Sequence, residues 1–166
     1  MRRRGWVGVW MGALLFGCAT GDSMAVDRTS DAEVMAVLDR YMAALNALDI
    51  EAHVATYHFP HYRHASGEIV VWQDANAAMP ILSVPEAERR RVLRETLAPD
   101  WDRSLWVERE IVQAHERKVH VATRFVRLRE DGSVIRSFDS LYVLTLEPGV
   151  DGDSRWGIKG RSSFAP

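Results

Sequence analysis

Between Ser104 and Phe164 the chain carries four runs dense in β-branched and aromatic residues: SLWVEREIVQA, KVHVATRFVRLR, SFDSLYVLTLE and RWGIKGRSSF. Turn residues punctuate them, notably Asp131-Gly132 and Pro148-Gly149, and the pattern predicts four antiparallel strands. In the second run Val119, Val121 and Phe125 share one face, while Ala122, Val126 and Leu128 share the other. Neither face is cleanly polar. A sheet apolar on both sides needs cover on both, so helices are expected on one face and a second copy of the chain on the other.

The helices come from upstream. Ser30-Asp-Ala-Glu33 reads as a capping box, and Val34, Leu38, Tyr41, Met42 and Leu45 recur at helical spacing to near Leu48. Asp49 can cap a second, shorter helix running to about Ala55, and Pro60 stops any continuation. The segments YRH and EIVVW around ASG predict a short strand pair. Ser83-Val-Pro-Glu86 offers another capping box before AERRRVLRETL, with Val92, Leu93 and Leu97 facing inward and the arginines on a solvated face.

At 166 residues, 47% hydrophobic and 27% charged, the chain suffices for one domain with a core of its own. Acids and bases are interspersed around a net charge of -2, which leaves no basic stripe for nucleic acid. The opening MRRRGWVGVWMGALLFGC has three arginines, a short apolar run and then the single cysteine. That layout predicts a secretory signal over residues 1–17. LFGC resembles a bacterial lipoprotein box, which implies cleavage before Cys18, lipid on its thiol, and residues 18–29 as a tether. Initiation at Met24 would instead leave a cytoplasmic protein. Removal of residues 1–17 takes three arginines and no acid, so 21 bases against 23 acids become 18 against 23, a mature charge of -5.

Helix, short helix, strand pair, helix and antiparallel meander is an α+β order with the helices segregated to one face. It resembles the conical superfamily of nuclear transport factor-like, SnoaL-like and ketosteroid isomerase domains, over residues 30–166. LDRYMAALNALDIEAHVATY, Leu38 to Tyr57, carries the likeness most specifically, and WGIKGRSSFAP resembles the last strand of other members. The resemblance implies three N-terminal helices packed on a strongly curved, mainly antiparallel sheet, with an apolar cavity inside. It also implies an oxyanion tyrosine at Tyr41 and, at Asp139 in FDSLY, a carboxylic acid kept protonated by an apolar site. The isomerase base falls on Ala65, or on His64 with one deletion. No Asp or Glu lies between Glu51 and Glu68, so the family's carboxylate base is absent.

YHFPHYRH, residues 57–64, concentrates three of the six histidines. His58, His61 and His64 stand three apart, but Pro60 breaks the helical face they would need. On a strand, His61 points opposite to the other two. With no cysteine or acid nearby to complete a tetrahedral set, no metal is expected, and no cofactor. The stretch fits the rim of a pocket lined by His58, His61, Trp72, Trp106 and Tyr142, which would hold a small apolar or amphipathic molecule. The alternative is a cofactor-free isomerase, dehydratase or cyclase in which His64 moves a proton while Tyr41 and Asp139 stabilise an oxyanion.

Overall fold

A computed structural model describes residues 28–65, 67–149 and 152–164. The expected signal, Cys18 and most of the tether lie outside the described residues. The elements run α1 (Arg28–Ala47), α2 (Ile50–Val54), β1 (Tyr57–Ala65), β2 (Glu68–Trp72), α3 (Ala75–Ala78), a 3-10 turn (Pro80–Ser83), α4 (Glu86–Leu97), β3 (Arg103–His115), β4 (Lys118–Leu128), β5 (Val134–Pro148) and β6 (Ser154–Phe164). Six strands form one sheet in the order β2-β1-β6-β5-β4-β3. All neighbours are antiparallel except β1 and β6. The result is the expected α+β cone, a curled sheet with helices against its inner face.

Local chemistry sets the boundaries. Leu48 ends α1 with φ +56°, a left-handed conformation usually left to glycine. Asp49 N–H then returns to the Ala44 carbonyl at 2.9 Å. A leucine is kept there because its side chain is buried with Ile50, Leu93 and Trp101 in a small second core. Asp49 caps α2 as expected, its Oδ1 accepting from Ala52 N–H at 2.9 Å. The β4–β5 turn relies on Gly132 at φ +82°, with Asp131 Oδ1 accepting from Ser133 N–H at 2.8 Å.

Two expectations are corrected and one element is added. Ser30 lies inside α1, which already includes Arg28 and Thr29, so the Ser30–Glu33 pair is not its N-terminal cap. Ser83 does not cap α4: its hydroxyl donates to the Pro80 carbonyl at 2.6 Å and closes the 3-10 turn, and Pro85 precedes the helix. Short α3, capped by Asp74 through Ala77 N–H at 2.8 Å, was missed because four residues are too few to show a period.

The main core lies between α1 and the inner face of the sheet: Val34, Val37 and Leu38 from the helix against Val119, Val121, Leu144 and Ile158. Asn46 fixes the other end of α1. Its side-chain amide donates to the Ser104 carbonyl at 2.9 Å and accepts from Ser104 N–H at 2.8 Å. Among the described residues no helix is long and apolar enough to cross a membrane.

Candidate functional site

Strand alternation decides which side chains reach the interior. On β5, Ser140, Tyr142 and Leu144 are buried, so that parity faces α1. On β6 the register pairs Tyr142 with Arg161, and on β1 it pairs Arg161 with Arg63. Val121 extends the same row on β4. Arg63, Arg161, Tyr142 and Val121 thus stand side by side across four strands on the inner face.

Tyr41 of α1 meets this row from above. Arg161 Nη1 donates to Tyr41 Oη at 2.9 Å and to Tyr142 Oη at 3.2 Å. Both hydroxyls accept from Arg161, and the Tyr41 and Tyr142 hydroxyls also interact with each other. The Arg161 Nε is buried with no hydrogen-bond partner. No ion pair of the described residues includes Arg161 or Arg63. Burial works against the Arg161 charge, and the hydroxyls of Tyr142, Tyr41 and Tyr57 outweigh it, so the group is held cationic. Burial pushes the Tyr142 hydroxyl well up, which keeps it protonated and a donor.

Below this level the interior is filled with rings. Tyr41 lies 4.2 Å from His53, Tyr57 4.2 Å from His61, and His61 5.4 Å from Trp72, measured between centroids. His53 Nδ1–H donates to the Tyr41 carbonyl at 3.1 Å, which leaves Nε2 as the acceptor for Tyr57 O–H at 3.3 Å. His61 Nδ1–H donates to the Ile158 carbonyl at 3.0 Å, so its Nε2 carries the lone pair. Burial, against the carbonyl bond and with nearby Arg161, lowers both imidazoles to about 4. They are neutral at neutral pH. The deep hollow expected from the family likeness is therefore packed with aromatic rings at this depth. Accessible surface returns at Arg63, Arg161, Trp72 and Trp106, all only half-buried.

The expected catalytic trio is not assembled. Tyr41 is inside. Asp139 is one residue out of step with Ser140 and Tyr142, on the outer face, where Arg124 Nε donates to its Oδ1 at 2.8 Å with both side chains about half exposed. The apolar enclosure that the likeness implies is not what surrounds Asp139, which lies half exposed beside a guanidinium. His64 shares the outward parity of Tyr62 and is exposed, 3.5 Å from Ser162 Oγ. The nearest thing to a family base inside the cone is His61, three positions before His64 and on the opposite face of β1.

Of the expected lining residues, His61, Trp72, Trp106 and Tyr142 do face inward. Trp106 Nε1–H reaches the Leu38 carbonyl at 3.3 Å, and its ring lies 5.8 Å from both Phe125 and Tyr142. His58 does not. It lies over Gly157 with its Nδ1–H on Thr145 Oγ1 at 3.1 Å, and Thr145 in turn donates to Glu147 Oε1 at 2.7 Å. The Phe59–Pro60 peptide between His58 and His61 is cis, and the β1–β6 register shifts between Tyr57 and Tyr62. His61 thus lies on the inner face, while His58 and His64 do not join it there. Among the described residues no group of three His, Cys, Asp or Glu is placed to hold a metal.

Arg63 and Arg161 were missed in the sequence. The signal was there, since Arg161 is an arginine in an inward position two residues from buried Ser163, but a glycine-interrupted strand hides its own parity.

A family profile for NTF2-like protein (DUF6841) matches residues 32–150. The chain belongs to that family. No curated protein matches its sequence. Among solved structures, this NTF2-like domain is similar to a Nostoc punctiforme protein of unknown function with a cystatin-like fold, at TM-score 0.61 and 14% identity, over 84% of this chain and 93% of that one. It is similar to a Catenulispora acidiphila protein solved in complex with S-DNPA, at TM-score 0.56 and 22% identity, over 82% and 92%. A putative ketosteroid isomerase from Shewanella frigidimarina aligns at TM-score 0.54 and 13% identity, over 80% and 95%. These likenesses fix the NTF2-like fold.

Proposed function

We propose that this NTF2-like domain is a binding module for a small amphipathic molecule, received between α1 and the inner face of the sheet. The observation that carries it is the convergence of Tyr41 and Tyr142 hydroxyls on Arg161, with Trp72, Trp106 and His61 around them. Two phenolic hydroxyls and a guanidinium converge within a half-open aromatic enclosure, and a few convergent polar groups are how a mainly apolar pocket orients a guest. In support, the Catenulispora acidiphila protein of similar fold has been solved in complex with S-DNPA.

Binding is favoured over isomerisation by the state of the one interior base candidate. A His61 lowered to about 4 is a poor proton acceptor at neutral pH, and Arg161 opposes the imidazolium it would become. With Asp139 and His64 on the outer face, the second reading reduces to His61, Tyr41 and Tyr142 acting on a carbonyl compound. A His61→Gln variant decides it: loss of turnover on an α-carbonyl carbon acid with retained binding would favour catalysis. Native mass spectrometry of protein purified from its own host tests the binding reading directly. A co-purified small molecule, lost in Tyr142→Ala, is the expected result.

The sequence of residues 1–18 supports anchoring of the domain to the bacterial envelope through lipid on Cys18. Intact mass of membrane-extracted protein should show the acylated cysteine, and a soluble product beginning at Met24 would overturn it. Exposed Leu105, Val107 and Phe164 on the sheet support pairing of two copies, which sedimentation would register.

A further inference from the structure

We infer that the guest carries an oxyanion head, a carboxylate in the simplest case, which docks between Arg161 and Arg63 with its apolar body against the interior aromatics. The inference rests on the binding reading above and adds the charge and chemical class of the ligand. Arg63 and Arg161 are direct cross-strand partners on the inner face. Strands in a sheet lie about 4.8 Å apart, and like charges opposite one another at that spacing repel. Other arginines in the fold relieve their charge against acids: Arg124 with Asp139, Arg109 with Asp39, Arg89 with Glu51 and Arg91 with Glu95. The two facing inward have no acid within ion-pair distance among the described residues.

A third cation closes the same space. Arg127 of β4 has its guanidinium 5.0 Å over Phe138, its Nη1 donating to the Leu97 carbonyl at 2.6 Å, and its Nε buried without a partner. Burial lowers the pKa of both Arg63 and Arg127, and each also feels the Arg161 charge. Three arginines enclosed with tyrosine hydroxyls and no carboxylate leave a surplus of positive charge and donors in a partly dry site. A bound oxyanion would accept from the guanidinium of Arg161 or Arg63, whose charge no acid among the described residues answers. Trp106, edge-on to Phe125, and Phe138, stacked on Phe125, offer the apolar wall for its body.

The test compares 4-phenylbutyrate with 4-phenyl-1-butanol, which share a body and differ in the carboxylate. Each is titrated by calorimetry into the full chain held in zwitterionic lipid discs, with empty discs as the blank. The acid is expected to bind about tenfold or more tightly than the alcohol, the scale of a charge-assisted pair. Arg161→Gln and Arg63→Gln should each bring the two affinities to within about threefold by weakening the acid alone. Arg124→Gln, on the outer face, should change neither. Should Arg161→Gln fail to fold, half-exposed Arg63→Gln carries the test. Equal affinity for acid and alcohol, or a preference that survives Arg63→Gln, overturns the oxyanion assignment and leaves the binding reading standing. Binding of neither compound overturns both.

Discussion

The two faces of the sheet treat the same residue type in opposite ways. On the outer face Arg124 meets Asp139 across the β4–β5 ladder, half in water and neutralised. On the inner face Arg161 sits one strand further along, enclosed by rings and answered only by neutral hydroxyls. An exposed ion pair contributes little to stability, whereas an enclosed charge without a counter-ion costs free energy. The contrast teaches that the two faces answer an arginine differently, with a carboxylate outside and with hydroxyls inside.

The sharpest way to break the comparison is acid. His53 and His61, both inside, have pKa values lowered from 6.5 to about 4, so between those limits the unfolded chain binds protons that the folded one refuses. Stability contributed by their neutral forms is full above pH 6.5 and falls as pH drops toward 4, by roughly 3 kcal/mol apiece. Urea midpoints measured from pH 7 to pH 4 should fall steeply, and the slope should be shallower in His61→Gln. A flat profile would show that the interior is wetter than its packing implies.

Next in size is Leu144→Ala, which removes a fully buried side chain from the inner face and should cost ~2–5 kcal/mol in urea unfolding. Exposed Val107→Ala on the same sheet should stay within about 0.5 kcal/mol. Smaller again is Gly157→Ala. A Cβ there would come within 2.6 Å of His58 Nε2, and the overpacking should cost ~1–3 kcal/mol, relieved when His58 is also shortened to alanine. The smallest effects sharpen the contrast between the arginines. Asp139→Asn should leave the urea midpoint where it is, and Arg161→Met should leave it unchanged or raise it, because the change takes a lone charge out of an aromatic interior. A fall in the Arg161→Met midpoint would recast Arg161 as a structural residue.

Much of the frame was legible before any coordinates. The four C-terminal runs became β3 to β6, Asp49 caps α2, and FDSLY and EIVVW are strands. The site was harder, for a reason that Asp139 and His64 both illustrate. Side chains alternate every residue along a strand, so an alignment that is right about the element and off by one about the parity turns a pocket residue into a surface one. His61 and His64 lie on the same strand and on opposite faces, and the register shift after Tyr57 puts His58 on a third path. Arg161 escaped notice because its meaning lies in what is missing around it, and the absence of a neighbouring acid is a property of three dimensions.

The parallel seam between β1 and β6 carries one more lesson. β6 is the last strand of the described residues in chain order, yet it occupies the third place in the sheet, wedged between β1 and β5. Pairs that join residues roughly a hundred positions apart close slowly, since the intervening loop must be gathered first. Until β6 is in place the β1–β2 pair has no other strand to dock on, and Arg161 is missing from the inner row. Closure of the inner face therefore waits on the seam that joins the N-terminal hairpin to the C-terminal meander, and the two halves of the sheet stand or fall together.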